Sequence, residues 1–394
     1  MSGTKQKRQR KKGPKNKLYE TVWFHVTYGV LLFGVLMYVF NFADISLVQY
    51  QRIDESAEAA SLAPAPPPTL DKDAYNTKML ALAHYEPPAP VSTSTATSTA
   101  SSTPPAPKPY ATATTSVGVP GLKWPTPAVY PNVSALLPFK RIIAYYGNFY
   151  SRQMGVLGEY PEKEVLTKLA STTAMWAQAD PSTPTIPAIQ YIAVVAQGQQ
   201  GQDGMWRSRM PDSEIQHAFD MADSMEGLLF LDVQVGQSTL QKELPLLANW
   251  FELPNVELAI DPEFSMKTGK APGTVIGSYD ATDINYAITY LAGIVREHNL
   301  PPKVLVVHRF TYDMVTNTEA ITPLPEVQVV MDMDGWGEPA RKFNTYKHVI
   351  APYPVQFTGM KLFYHADLRP PSTRLLTPAE VLALTPSPIY IQYQ

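Results

Sequence analysis

Not one of the 394 residues is a cysteine. That excludes a disulfide framework, a thiol nucleophile, a thiolate zinc site and a lipobox anchor. It fits an exported bacterial protein that does not depend on oxidative folding. Also missing are the phosphate loops G-x-x-x-x-G-K-[ST] and G-x-G-x-x-G, the nucleophile elbow G-x-S-x-G and the zinc helix H-E-x-x-H. No cofactor and no metal are implied by motif. Basic charge is scarce beyond the N-terminus. The first 20 residues hold eight Lys or Arg and one acid, Glu20, which leaves 24 basic against 34 acidic residues in the remainder. So acidic a body argues against nucleic acid as its partner, because phosphate binding needs a basic surface.

What is present begins with a hydrophobic run. Residues 22–43, VWFHVTYGVLLFGVLMYVFNFA, contain no Lys, Arg, Asp or Glu. At 1.5 Å per residue such a run spans about 33 Å, enough for a bilayer core. It is longer than the core of a cleaved signal peptide and is aromatic at both ends. It therefore reads as a single-pass signal anchor. The basic tail, 1–21, is expected in the cytosol and the C-terminal bulk outside it. Residues 44–138 are expected to be a linker. Their Pro, Ala, Ser and Thr content is too polar to offset the entropy of ordering, although Asp71 to Glu86 could form a short helix.

From residue 139 onward, strand and helix patterns alternate. Strands are predicted at Arg141–Gly147, Pro187–Ala196, Gly227–Val235, Val256–Glu263, Lys303–His308, Glu326–Asp334, Gly359–His365 and Pro388–Gln392. The clearest helix is Asp280 to His298, whose Ile284, Ala287, Ile288, Leu291 and Val295 recur at helical spacing. Thr377-Pro378-Ala379-Glu380 carries the signature of a capping box. Eight such units over 139–394 predict an α/β fold, a single (β/α)8 TIM-like barrel. The alternative, an open doubly wound sheet, lacks its Gly-rich turn after the first strand.

Alternate residues of a barrel strand face the lumen. This parity turns Phe230, Asp232 and Gln234 inward on the third strand. On the fourth it selects Glu257, Ala259, Asp261 and Glu263, and on the sixth Gln328, Val330, Asp332 and Asp334. The fifth strand ends on His308 and Arg309. Tyr145 or Tyr146, Gln190, Lys361, Tyr390 and Gln392 come from the remaining strands. Ligands bind at the C-terminal ends of such strands. Two carboxylates with separated pKa values suit glycoside cleavage. Glu263 is the candidate acid, with Asp261 tuning it by like-charge repulsion. Asp232 or Asp332 is the candidate second carboxylate. Tyr145, Tyr146, Trp206, Trp336 and Tyr364 are available to stack on sugar rings. Gln190, Gln234, His308, Asp334, Lys361 and Gln392 are candidate substrate contacts. A plainer reading pairs the acids with Lys361, Arg309 and His308 in a polar plug and packs the aromatics into core or loops. The loop 197–204, QGQQGQDG, with Trp206, Arg207 and Arg209 after it, is a candidate lid.

Asp261-Pro262-Glu263 resembles the D-x-E strand end of family 18 chitinase-like and family 25 lysozyme-like barrels, in which the glutamate is the acid. The fuller D-x-x-D-x-D-x-E pattern is absent. Residues 139–394 also look like a family of exported barrel domains of bacterial cell-envelope proteins, through YYGNFYSRQMGVLGEY, LDVQVGQ, AIDPEF, VHRF, MDMDGWG and YIQYQ. This resemblance implies the barrel fold and an extracytoplasmic compartment; with the apolar run and the paired acids, the expectation is a membrane-anchored barrel acting on polysaccharide or peptidoglycan. A non-catalytic glycan-binding protein is the alternative. A metal-dependent hydrolase using Asp232, Asp261, Glu263, His308 and Asp332 ranks third, since oxygen-rich donors suit Mg²⁺, Mn²⁺ or Ca²⁺.

Overall fold

The computed structural model describes residues 69–86 and 115–394. The basic tail and the apolar run 22–43 lie outside the described residues. Among the described residues, no helix is long and apolar enough to cross a membrane.

Chain order begins with helix α1, Lys72–Leu82, started by Asp71, whose carboxylate accepts from the Ala74 amide at 2.9 Å. The eight barrel strands follow: β1 (Arg141–Gly147), β2 (Thr185–Ala196), β3 (Leu228–Val233), β4 (Val256–Ile260), β5 (Lys303–Arg309), β6 (Val327–Met333), β7 (Phe357–Leu362) and β8 (Tyr390–Tyr393). Each pairs in parallel with the next, and β8 pairs with β1, so the sheet closes into a barrel. Closure leaves no unpaired edge and places all strand C-termini at one mouth.

The outer layer is uneven. Helices α2 (Glu162–Ala179), α3 (Asp212–Asp223), α4 (Ala281–His298), α5 (Pro339–Thr345) and α6 (Pro378–Leu382) cover part of it. Short helical turns join β3 to β4, and two 3₁₀ turns with the two-residue strand Val315–Thr316 stand between β5 and β6. Helix α4 has a capping box: Asp280 accepts from Thr282 N at 3.0 Å, and Asp283 accepts from Asp280 N at 2.8 Å. It ends where Asn299 adopts φ +52°, a conformation Asn tolerates. The Thr377–Glu380 capping box starts α6 in the same way.

The core has two parts, and strand parity separates them. Leu229, Leu231, Leu258, Leu305, Val329 and Met360 pack outward against the helices. Ile142, Ala144, Ala188, Phe230, Ala259, Val306, Val330 and Phe357 fill the lumen. The lower mouth is sealed by the earlier part of the chain. Tyr75 and Met79, one turn apart on α1, are buried with Leu137 in the luminal cluster. Gln328 of β6 exchanges two hydrogen bonds with the Leu137 backbone, at 2.6 and 3.0 Å. The expected linker is thus corrected: 69–86 and 115–138 are folded onto the barrel. Composition concealed this, because the apolar residues that seal the floor are few and widely separated among prolines.

Candidate active site at the C-terminal mouth

Strand β4 ends at Ile260, earlier than its hydrophobic pattern predicts. Pro262 has no amide to extend the ladder, and Asp261 captures the Glu263 amide at 3.1 Å. A 3₁₀ turn, Pro262–Phe264, then carries Glu263 into the mouth. Glu263 therefore reaches the site from a turn, in contrast to the luminal strand position expected for it. Its partner Asp334 leaves the end of β6, with its amide donating to Arg309 O at 3.1 Å.

A cleft of about 490 Å³ opens here, lined by Tyr146, Asp261, Glu263, Asp334, Trp336 and Lys361, among others. Lys361 Nζ holds both Asp334 oxygens, at 3.1 and 3.2 Å, and sits 3.9 Å from the centre of the Tyr146 ring. Burial pushes the Glu263 carboxyl up to about 7; Asp334 adds to the rise, and Lys361 and His308 oppose it. Burial also holds Asp261 well above the usual carboxylate range, against the pull of His308 and with Glu263, Asp232 and Asp334 adding to the rise. An acid titrating near 7 is suited to give up a proton at neutral pH.

Directly beneath lies a closed polar layer. His308 is fully buried among Asp232 on one nitrogen (3.0 Å) and Asp332 and Asp334 on the other (3.1 and 3.4 Å). Burial works against its charge, but the hydrogen bonds to Asp232 and Asp332 outweigh it and raise its pKa well above the ordinary value. An imidazolium with both N–H groups donating fits this geometry. Gln190 Nε2 also donates to Asp232 Oδ2, at 2.6 Å, which explains its 3.0 Å approach to His308 Nε2: two donors converge on one oxygen. Gln392 donates to the Tyr390 hydroxyl at 2.9 Å, and that hydroxyl donates to Gln190. Gln234 spans Tyr146 OH (3.2 Å) and Asp261 (3.4 Å). A glycine is required on β7 at this level. A Cβ on Gly359 would lie 2.5 Å from Asp332 Oδ1 and 2.9 Å from the Tyr390 ring.

The mouth thus brings together most of the sequence-predicted residues, in two levels. Tyr146, Asp261, Glu263, Asp334, Trp336 and Lys361 line the cleft. Asp232, Asp332, His308, Gln190, Gln234 and Gln392 are buried around it. Asp232 and Asp332, expected as the second carboxylate, are fully buried on His308 and do not line the cleft. Three aromatics are placed elsewhere. Trp206 does not line the cleft and closes the loop after β2, its amide donating to Gln200 O at 3.0 Å. Tyr145 faces outward, with its hydroxyl 2.8 Å from Thr172 on α2 and 3.0 Å from Tyr364. Tyr364 stacks on Tyr393 at 5.2 Å. The polar-plug reading holds for His308 and Lys361 but not for Arg309, which donates to the Thr311, Tyr312 and Val315 carbonyls. Nor are Arg207 and Arg209 a free lid. They form a short antiparallel strand on the end of β2, and both clamp Glu243, at 2.9 and 2.7 Å.

Further contributors lie in the segments that follow β6 and β7. The buried Lys342 of α5 pairs with Asp367 at 3.0 Å and donates to the Gly335 and Lys361 carbonyls. Asp367 in turn accepts from the Gly337 and Phe363 amides. This pair fixes the loop carrying Trp336, an indole 44% exposed and flanked by Arg341 and Arg369 at 4.9 and 5.4 Å. Periodicity carries no trace of these residues. The only sequence signal would have been their position in the segments that follow strand ends. No group of three or more His, Asp or Glu among the described residues is arranged to hold a metal ion. Both His308 nitrogens already face carboxylates.

Fold and site define a closed (β/α)8 barrel with a carboxylate-lined cleft at its C-terminal mouth. No protein-family model matches the sequence, and no curated protein matches it. Among solved structures, a sugar phosphate isomerase/epimerase from Parabacteroides distasonis is similar with TM-score 0.30 and 9% identity, over 64% of this chain and 86% of that one. A dihydropteroate synthase from Burkholderia cenocepacia, complexed with 7,8-dihydropteroate, gives TM-score 0.31 and 10% identity, over 65% of this chain and 86% of that one. At these scores the likeness carries no argument, and the barrel rests on its own strand pairing. None of the comparisons links the chain to an exported or glycan-acting family.

Proposed function

We propose that the protein is a membrane-anchored, extracytoplasmic glycoside hydrolase acting on cell-envelope polysaccharide or peptidoglycan. The anchor is the apolar run 22–43, the basic tail is cytosolic, and residues between that run and α1 are the tether. One observation carries the catalytic part: Glu263, raised to about 7, shares a cleft with Asp334. Glu263 protonates the glycosidic oxygen as the bond to the anomeric carbon breaks. Asp334, set by Lys361, faces the developing oxocarbenium and takes the proton from the water that adds to that carbon. His308 neutralises the acids beneath, and the exposed Trp336 offers a face for a sugar ring. The non-catalytic reading shares Trp336 and the cleft but needs no raised acid.

The test is release of reducing ends from envelope glycans by the full-length chain in detergent. Glu263→Gln should lower the rate by about 10²–10⁴-fold, the usual contribution of a general acid. Activity of the parent should fall as pH rises through about 7, where Glu263 loses its proton. Tight glycan binding with no cleavage by either form would overturn the hydrolytic reading in favour of a binding protein.

A further inference from the structure

The cleft does not stop at Trp336. A second cavity, of about 730 Å³, shares Trp336, Phe363 and Gln394 with it, so the two form one groove across the mouth. Charge changes sign along this groove. Asp261, Glu263 and Asp334 mark one arm, and Arg152 and Arg369 line the other, with Arg341 on the wall of the first. The acid in the second arm, Glu159, is occupied by His365 at 2.9 Å.

Among the described residues, five arginines (Arg141, Arg207, Arg209, Arg296 and Arg374) each hold a carboxylate. Arg309 is consumed by backbone carbonyls. The three remaining described arginines, Arg152, Arg341 and Arg369, have no carboxylate partner, and all three stand exposed on this groove. Trp336 holds two of them by their faces, which positions a guanidinium without neutralising it. Unneutralised guanidiniums gathered in one groove of an acidic body match a planar or tetrahedral oxyanion, which each can bind with two parallel N–H groups.

We infer that the second arm is an oxyanion subsite: the groove takes an acidic glycan whose carboxylate, phosphate or sulfate substituent lies against Arg152 and Arg369. This rests on the proposed glycan reading and names its substrate class. The test is calorimetric binding to the full-length chain in detergent. The probes are tetragalacturonate (carboxylate), a chondroitin sulfate tetrasaccharide (carboxylate and sulfate), poly(glycerol phosphate), and cellotetraose as the neutral control. At least one anionic probe should bind about tenfold or more tightly than cellotetraose, with an affinity that falls as NaCl rises. The preferred probe identifies the oxyanion. Arg152→Glu with Arg369→Glu should abolish the preference, while the equally charged surface control Lys163→Glu with Lys347→Glu retains it. Equal affinity for neutral and anionic probes, or a preference unchanged in the double arginine variant, overturns the subsite. Cleavage of a neutral glycan that the double variant leaves intact removes the subsite and keeps the hydrolase. Arginine-dependent anion binding without cleavage keeps the subsite and removes the hydrolase.

Discussion

Two glutamates, Glu257 near the start of β4 and Glu263 in the turn that follows it, are both pushed up to about 7, in each case chiefly by burial. Their surroundings differ. Glu257 is 3% exposed, accepts from the Val304 amide at 2.5 Å and lies beside Lys303. Lys303 itself is spent on the Leu253 and Val256 carbonyls. At this end Tyr75 and Met79 of α1 and Leu137 pack over the lumen. Glu263 lines an open cleft with Asp334, Lys361 and Trp336. A raised pKa is therefore not a site in itself. Access and a second charged group in the same cleft make the difference.

Breaking each end should cost stability in different ways. The largest loss is expected for His308→Leu, which leaves the buried Asp232 and Asp332 without their cation. Removing one partner of a buried pair costs about 3–5 kcal/mol, to be read from urea unfolding at pH 7. The wild-type contribution has a defined sign. The folded pKa of His308 lies well above the ordinary 6.5. Its stabilisation is therefore full below about 6.5 and fades as pH rises through the folded value. The Leu variant should lose that alkaline decline.

At the floor, Tyr75→Ala should cost a similar or slightly smaller amount, about 3–5 kcal/mol, because a fully buried ring is removed from between Tyr130 and Phe139. Glycan cleavage at a temperature where the variant stays folded should be unaffected. A variant that lost activity while still folded would show that the two ends are coupled.

Glu257→Gln sharpens the contrast between the glutamates. Since the folded pKa of Glu257 is raised from 4.5 to about 7, its contribution is present below 4.5 and lost as pH climbs through 7. The Gln variant lacks this fall, so above pH 7 it should be more stable than wild type by up to about 3 kcal/mol, with cleavage unchanged. Chemical denaturation at pH 4.5 and pH 8 measures it. The smallest effect is expected for Trp336→Ala: KM for a glycan should rise by about tenfold or less, with stability within about 0.5 kcal/mol.

Most of the barrel was legible in the sequence because its signals are local. β1 matches its predicted span, α4 begins and ends where Asp280 and His298 predict, and parity sorts lumen from shell through β3, β4 and β6. Local signals failed where a partner remote in sequence decides the outcome. Tyr145 and Tyr146 could not be told apart until β1 was docked against α2. Asp232 and Asp332 could be read either as a second catalytic carboxylate or as part of a polar plug until His308, from a third strand, closed on both. Tyr75 and Met79 read as part of a tether because the cavity they fill is built by strands that begin more than sixty residues later.

Taken alone, the chain determined which residues face inward and which end of the barrel is acidic, since alternation and strand-end composition depend only on neighbours a few positions apart. Only the closed tertiary structure decided which of those acids are sealed and which meet solvent. Burial, and with it the protonation of Glu263 and the idle charge of Arg152, Arg341 and Arg369, is a property of groups brought together from distant parts of the chain.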